Sequence, residues 1–300
     1  MKKLIRIVII AILFIIIGFV SDTGDTAPET EENSFPEAGA VKLEGKKHKI
    51  TIEGSTSVAV LMEILAEAYM ENNKDVRIDI MANGTNAAIK AVSQGNADLG
   101  MVSRYLKNSE KTVVINEIQI AWDALAVIVN PQNPVIGLTK DQVIQMYQGS
   151  IKNWIEVGGA DKWIHLISRE EGSGTQEAFR ELFEIHEIFP GAQTADGNGS
   201  VIAGVAGKIN AIGYISLGFV QEQVKSIKID GIVASRENTI NGSYTLKRPY
   251  CLILRNEVCD DSIKELITFI LSEEGQGIVS QKYIPVKLRL NSLMVKYIIG

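Results

Sequence analysis

Apolar positions along this 300-residue chain switch repeatedly between a period of two and a period near 3.6. Ile50-Thr51-Ile52-Glu53 alternates as a short strand, and after Gly54-Ser55-Thr56-Ser57 an apolar-periodic helix runs over 58–70. Residues 76–81 alternate again, and Asn83-Gly84-Thr85-Asn86 opens a helix over 87–94. The pattern predicts further strands over 97–102, 122–130, 166–168, 211–215 and 250–255. Helices are predicted over 176–183, 201–208 and 262–271, and Thr139 caps another that begins at Lys140. Alternating strands and helices predict an α/β fold with largely parallel sheets. Pro131 and Pro134 end the strand over 122–130 and mark the expected crossing between two lobes.

Three strand-to-helix junctions share one grammar of glycine followed by hydroxyls. They are Gly54-Ser55-Thr56-Ser57, Asn83-Gly84-Thr85-Asn86 and Arg169-Glu170-Glu171-Gly172-Ser173-Gly174-Thr175. A helix start leaves backbone N–H groups unpaired and carries a partial positive charge, which suits an oxyanion. Glycine lets the backbone approach closely, and Ser or Thr adds a side-chain donor. Each junction alone reads equally as an ordinary N-cap. Together with the fixed cation of Arg169, the three predict one small tetrahedral anion held between two lobes, in an interlobe cleft.

Charge limits the partners. A net charge of −6 argues against nucleic acid, which selects basic surfaces. Lys2 and Lys3 precede an apolar run over 4–20 broken only by Arg6, the pattern of a signal peptide or N-terminal membrane anchor. Neither a lipid-attachment Cys nor an A-x-A-like cleavage site follows, so an uncleaved anchor is expected and a cleaved signal stays open. Either places the protein outside the cytoplasmic membrane, extracytoplasmic and cell-surface. Residues 21–47 are acidic, with Pro28 and Pro36, and read as a flexible linker. Cys251 and Cys259 leave a disulfide open. The scattered His48, His165 and His186 offer no metal-ligand spacing.

Known catalytic grammars fail. The Gly207-Lys208 pair lacks both the earlier glycine and the following hydroxyl of a P-loop, since Ile202 and Ile209 stand there. Gly197-Asn198-Gly199 lacks the third glycine of a dinucleotide fingerprint. Ser173 sits in no G-x-S-x-G elbow and has no evident base. Binding without chemistry is expected: no enzyme, no cofactor, no metal.

From about residue 50 to 286 the chain resembles the PstS family of periplasmic-type phosphate-binding proteins. The resemblance rests on Ile52 to Ser57, Asn83-Gly84-Thr85, Ala97 to Arg104, Ala126 to Asn130, Arg169 to Thr175 and Ala211 to Tyr214. It implies a two-lobed periplasmic-binding-protein-like α/β fold (type II) with two crossing strands as hinge, closing over one dehydrated phosphate. Lobe I is expected over 48–129 plus 245–300, and lobe II over 130–244. The resemblance implies Ser55, Thr56, Ser57, Thr85, Arg169, Ser173, Gly174 and Thr175 as phosphate-binding, with Glu171 pairing the arginine. Ser103 and Arg104 complete the candidate set. A monomer is expected, delivering inorganic phosphate to the membrane permease and ATPase of an ABC transporter.

One departure concerns specificity. The best-known branch of the family places an aspartate after the serine that ends the third strand, where it accepts the proton of hydrogen phosphate; here Arg104 stands there. Sulfate has no proton to donate, so such an acceptor is the physical means of rejecting it. Asp123 or Glu170 is expected to take that role. Arg104 reads either as a pocket cation or as half of a salt bridge. A sulfate or molybdate receptor and a surface phosphate sensor without a transporter remain alternatives.

Overall fold

The computed structural model describes residues 48–111, 115–255 and 260–286. The chain opens with β1 (His48–Gly54), α1 (Thr56–Asn72), β2 (Val76–Ala82), α2 (Thr85–Gln94) and β3 (Leu99–Val102). β1 lies parallel to both β2 and β3, so the carboxyl ends of these strands and the starts of α1 and α2 share one edge. β4 (Ile115–Val129) follows, and its 15 residues make it the longest strand described. At about 3.3 Å per residue it reaches roughly 50 Å, enough to serve two cores.

The second half of the chain repeats the parallel plan. After β5 (Gly137–Leu138) and α3 (Lys140–Tyr147) come β6 (His165–Arg169), α4 (Gly174–Leu182), β7 (Gln193–Ala195), α5 (Gly197–Ala206) and β8 (Ala211–Ser216). β6 lies parallel between β7 and β8. Short β9 (Lys225–Ser226) pairs with β4, and β10 (Lys228–Ile229) pairs with β5. α6 (Arg236–Ile240) leads into β11 (Lys247–Arg255), and α7 (Asp261–Leu271), α8 (Glu273–Val279) and β12 (Ile284–Pro285) complete the described fold.

Two apolar cores result. Ile52, Leu61, Leu65, Ile120, Leu252 and Ile267 lie in the first, with a satellite of Ala88, Val92, Val102 and Ile253 under α2. Leu125, Val127, Val143, Phe179, Val201 and Ile212 lie in the second. The strand β4 enters both: Ala121 belongs to the first core and Ala124 to the second. It pairs antiparallel with β11 up to Ala124 and with β8 from Leu125 onward. This is a two-lobed α/β periplasmic-binding-protein fold.

Two expectations change. The crossing strands run antiparallel to their neighbours, so the sheet is mixed. The crossing also lies upstream of Pro131 and Pro134, because a strand that changes partner keeps its ladder and needs no break. Those prolines lie instead in the turn after β4, which Asn130 and Asn133 organise by accepting the N–H of Gln132 and Val135, each at 3.0 Å. The expected anchor, the acidic linker and Cys259 lie outside the described residues. Cys251 is buried in β11. Among the described residues no helix is long and apolar enough to cross a membrane.

Candidate anion-binding site

Four helix starts meet where the lobes touch. Ser55 caps α1, its Oγ accepting the Ser57 N–H at 3.3 Å. Gly84, at φ +102°, turns the chain into α2 and places Thr85 in the first turn, fully buried. Ser173 caps α4 by accepting the N–H of Thr175 at 3.2 Å and of Gln176 at 3.4 Å. α5 begins at Gly197, four residues before the expected start, and its Asn198 reaches α1. Capping uses the oxygen lone pairs of Ser55 and Ser173 and leaves each hydroxyl proton to donate elsewhere.

The lobes are joined here by contacts between donors. Ser57 Oγ and Thr175 Oγ1 lie 2.9 Å apart, and Asn198 Nδ2 donates to Ser57 Oγ at 2.9 Å. The Asn86 N–H donates to Gly172 O at 3.2 Å. Gly174 sits directly on Thr85 and Ser103: a Cβ there would fall 2.2 Å from Thr85 Oγ1 and 2.6 Å from Ser103 Oγ. Thr85 Oγ1 accepts the Ser103 N–H at 3.3 Å.

Arg169 supplies the cation. Its N–H donates to Tyr214 Oη at 3.1 Å, and Tyr214 stacks on Phe179 at 3.8 Å between centroids, which fixes the end of β6. The side chain is 2 % exposed, donating from Nε and Nη2 to Glu170 at 2.7 and 2.6 Å and from Nη2 to Thr56 Oγ1 at 3.2 Å. Nη1 makes no hydrogen bond among the described residues, although it is buried. Leaving a charged donor buried and unpaired is costly, so this atom stands available for an acceptor. Burial raises the Glu170 pKa, but the hydrogen bonds and charge of Arg169 outweigh it and hold the carboxyl below its ordinary range.

Three expected roles change on geometry. Glu170, not Glu171, pairs with Arg169, and Glu171 points to solvent. Arg104 is committed elsewhere. It donates from Nη1 to Tyr105 O and Glu110 Oε2 and from Nη2 to Asn86 Oδ1 and Glu110 Oε1, while Nε lies 2.6 Å from Glu177 Oε2, off the hydrogen-bond axis. Both terminal nitrogens are hydrogen-bonded within the protein and Nε stands against a carboxylate, so the structure gives Arg104 the ion-pair reading. A cleft of about 660 Å³ borders this contact and is lined by Lys107, Arg180 and His186, not by the hydroxyl loops. Asp123 is also saturated: Ser216 Oγ, Arg248 Nε and Tyr250 Oη donate to it at 2.8, 3.0 and 2.9 Å. Burial raises its pKa against the pull of Arg248 and the two hydroxyls.

A model of the PBP superfamily domain matches residues 25–274. The chain is 43% identical to a phosphate ABC transporter substrate-binding protein with bound phosphate from Clostridium perfringens, at TM-score 0.78, covering 80% of this chain and 100% of that one. The chain belongs to the PstS family. It is also 28% identical to the phosphate-binding protein PstS of Bacillus subtilis, over 95% of this chain and 94% of that protein. An ABC-type phosphate transport receptor from Vibrio cholerae is 34% identical at TM-score 0.69, over 79% of this chain and 100% of that one.

Within this PstS-family site, three residues escaped the sequence pattern, Asn198, Ser216 and Arg248, while Glu170 was expected as a proton acceptor and not as the partner of Arg169. Glu170 and Glu171 are adjacent acids that only the turn before α4 tells apart. Asn198 lies in the Gly197-Asn198-Gly199 run, whose small residues signal a close approach that no motif search rewards. Arg248 left one signal, a cation at the mouth of the apolar strand over 250–255.

Proposed function

We propose that this protein is an extracytoplasmic receptor that captures inorganic phosphate between its lobes and delivers it to an ABC-type phosphate importer. The observation that carries the reading is Arg169 Nη1, a buried guanidinium nitrogen without a partner among the described residues, on a side chain whose Nη2 donates to Thr56 in the first turn of α1. The first-turn N–H groups and hydroxyl protons of α1, α2 and α4 would add the donors that a dehydrated oxyanion requires. Relatives named phosphate-binding protein and phosphate transport receptor support the same reading of this chain.

The lobes lie over 48–123 with 247–286, and over 124–246, so that β4 and the entry into β11 form the hinge. The chain acts as a monomer, tethered to the cytoplasmic membrane by residues 1–20 through the acidic linker. It docks on the permease, which an ATPase drives. Titrating the purified protein with phosphate, sulfate, arsenate and molybdate tests the assignment: phosphate binds tightest of phosphate, sulfate and molybdate. Stronger binding of sulfate or molybdate would reject it.

A further inference from the structure

Six buried residues close a ring of hydrogen bonds through both lobes. Arg248 donates from Nε to Asp123 Oδ2 at 3.0 Å and from Nη1 to Thr175 Oγ1 at 2.7 Å. Thr175 Oγ1 stands 2.9 Å from Ser57 Oγ, which accepts from Asn198 Nδ2 at 2.9 Å. Asn198 Oδ1 accepts the Ser216 N–H at 3.1 Å, and Ser216 Oγ donates to Asp123 Oδ1 at 2.8 Å. None of the six is more than 2 % exposed.

The protons of this ring can be counted. A guanidinium nitrogen and a carboxamide NH₂ only donate, so Arg248 fills a lone pair of Thr175 and Asn198 fills one of Ser57. Each hydroxyl owns a single proton. In their mutual contact one proton is used and the other points out of the ring. We propose that Arg248 and Asn198 are positioning residues that make the Thr175–Ser57 hydroxyl pair present one obligatory donor proton toward the bound anion. The inference rests on the phosphate-receptor reading above. Without these partners each hydroxyl is free to rotate and set a lone pair against an anionic oxygen, exchanging an attraction for a repulsion.

The ring also explains why a buried ion pair stands at the hinge. Asp123 lies on β4 and Arg248 on β11, the two crossing strands. Asp123 and the face of the Tyr250 ring, 5.3 Å from the guanidinium carbon, hold Arg248 so that Nη1 meets Thr175. Ser57 belongs to the first lobe, whereas Thr175, Asn198 and Ser216 belong to the second. The ring is therefore complete only when the lobes meet, and the outward donor is set at the moment of closure.

The test is a double-mutant cycle on the full-length protein, titrated calorimetrically with inorganic phosphate. Arg248→Lys keeps a cation beside Asp123 but has no second nitrogen for Thr175. It should weaken phosphate binding about 10- to 100-fold, the usual worth of a charge-assisted hydrogen bond. In a Thr175→Val background the same change should alter affinity by no more than about twofold, because the hydroxyl it orients is gone. Equal losses in both backgrounds would give Arg248 a purely structural role and overturn the inference. Should Arg248→Lys fail to fold, Asn198→Ala against Ser57→Ala supplies a second cycle with the same expectation. A wild-type protein that ignores phosphate overturns the receptor reading itself; wild-type binding with additive cycles overturns only the positioning role.

Discussion

Arg104, which follows β3 in the first lobe, and Glu177, on α4 in the second, stand 2.6 Å apart across the lobe junction. Lys107 reaches the same carboxylate oxygen at 2.7 Å, and Glu110 grips Arg104 from behind at 2.7 Å. The arginine is thus anchored in one lobe and presented to the other. Breaking a pair this buried leaves uncompensated charge and costs about 3–5 kcal/mol when one partner is removed outright.

Glu177→Gln keeps the shape and removes the charge. The loss falls on the closed form, so phosphate affinity should drop roughly tenfold, about 1.4 kcal/mol. Scattering should also report a larger radius at subsaturating phosphate. Unchanged affinity would make this contact a bystander of closure.

Gly174→Ala tests the fit of α4 against the first lobe. The added methyl meets Thr85 Oγ1 and Ser103 Oγ well inside contact distance, from atoms on buried, packed side chains. Phosphate binding should fall by about 5- to 100-fold, since overpacking typically costs about 1–3 kcal/mol and closure bears it. The melting temperature without phosphate should barely change, because each lobe's own core is untouched. A large fall in that temperature would place Gly174 in the fold, not the closure.

Acid stability follows from the two paired glutamates. In Glu110 and Glu170 burial raises the carboxyl pKa, yet hydrogen bonds and charge from Arg104 and Arg169 outweigh it and hold both below about 4.5. A folded pKa below the unfolded one gives stability that is present above the unfolded value and lost as pH falls through the folded value. Melting temperature should hold between about pH 5 and 8 and decline below about 4.5, more shallowly in Glu170→Gln. Parallel curves for the two proteins would remove Glu170 from the acid response.

The pattern of periods made the α/β alternation and the three hydroxyl loops legible, because a strand end, a glycine and a cap residue are local signals. Ser55, Thr85, Ser173 and Thr175 stand at helix starts for that reason. The crossing leaves no local mark: β4 changes partner between Ala124 and Leu125 without altering its alternation. Arg104 was ambiguous because its partners, Glu110 and Glu177, come from a loop and from the opposite lobe. Asn198 and Arg248 act through contacts 141 and 73 residues away in the chain, a distance no local pattern spans.

The account stands on Arg169. Its charge is buried, its Nε and Nη2 are held by Glu170, and Nη1 has no partner among the described residues. Calorimetric titration of the wild type and of Arg169→Met with phosphate measures that directly. The account predicts tight one-to-one binding by the wild type and a loss of about 30-fold or more in the variant, for an interaction worth about 2–5 kcal/mol. Binding by a folded Arg169→Met within about threefold of wild type would contradict it.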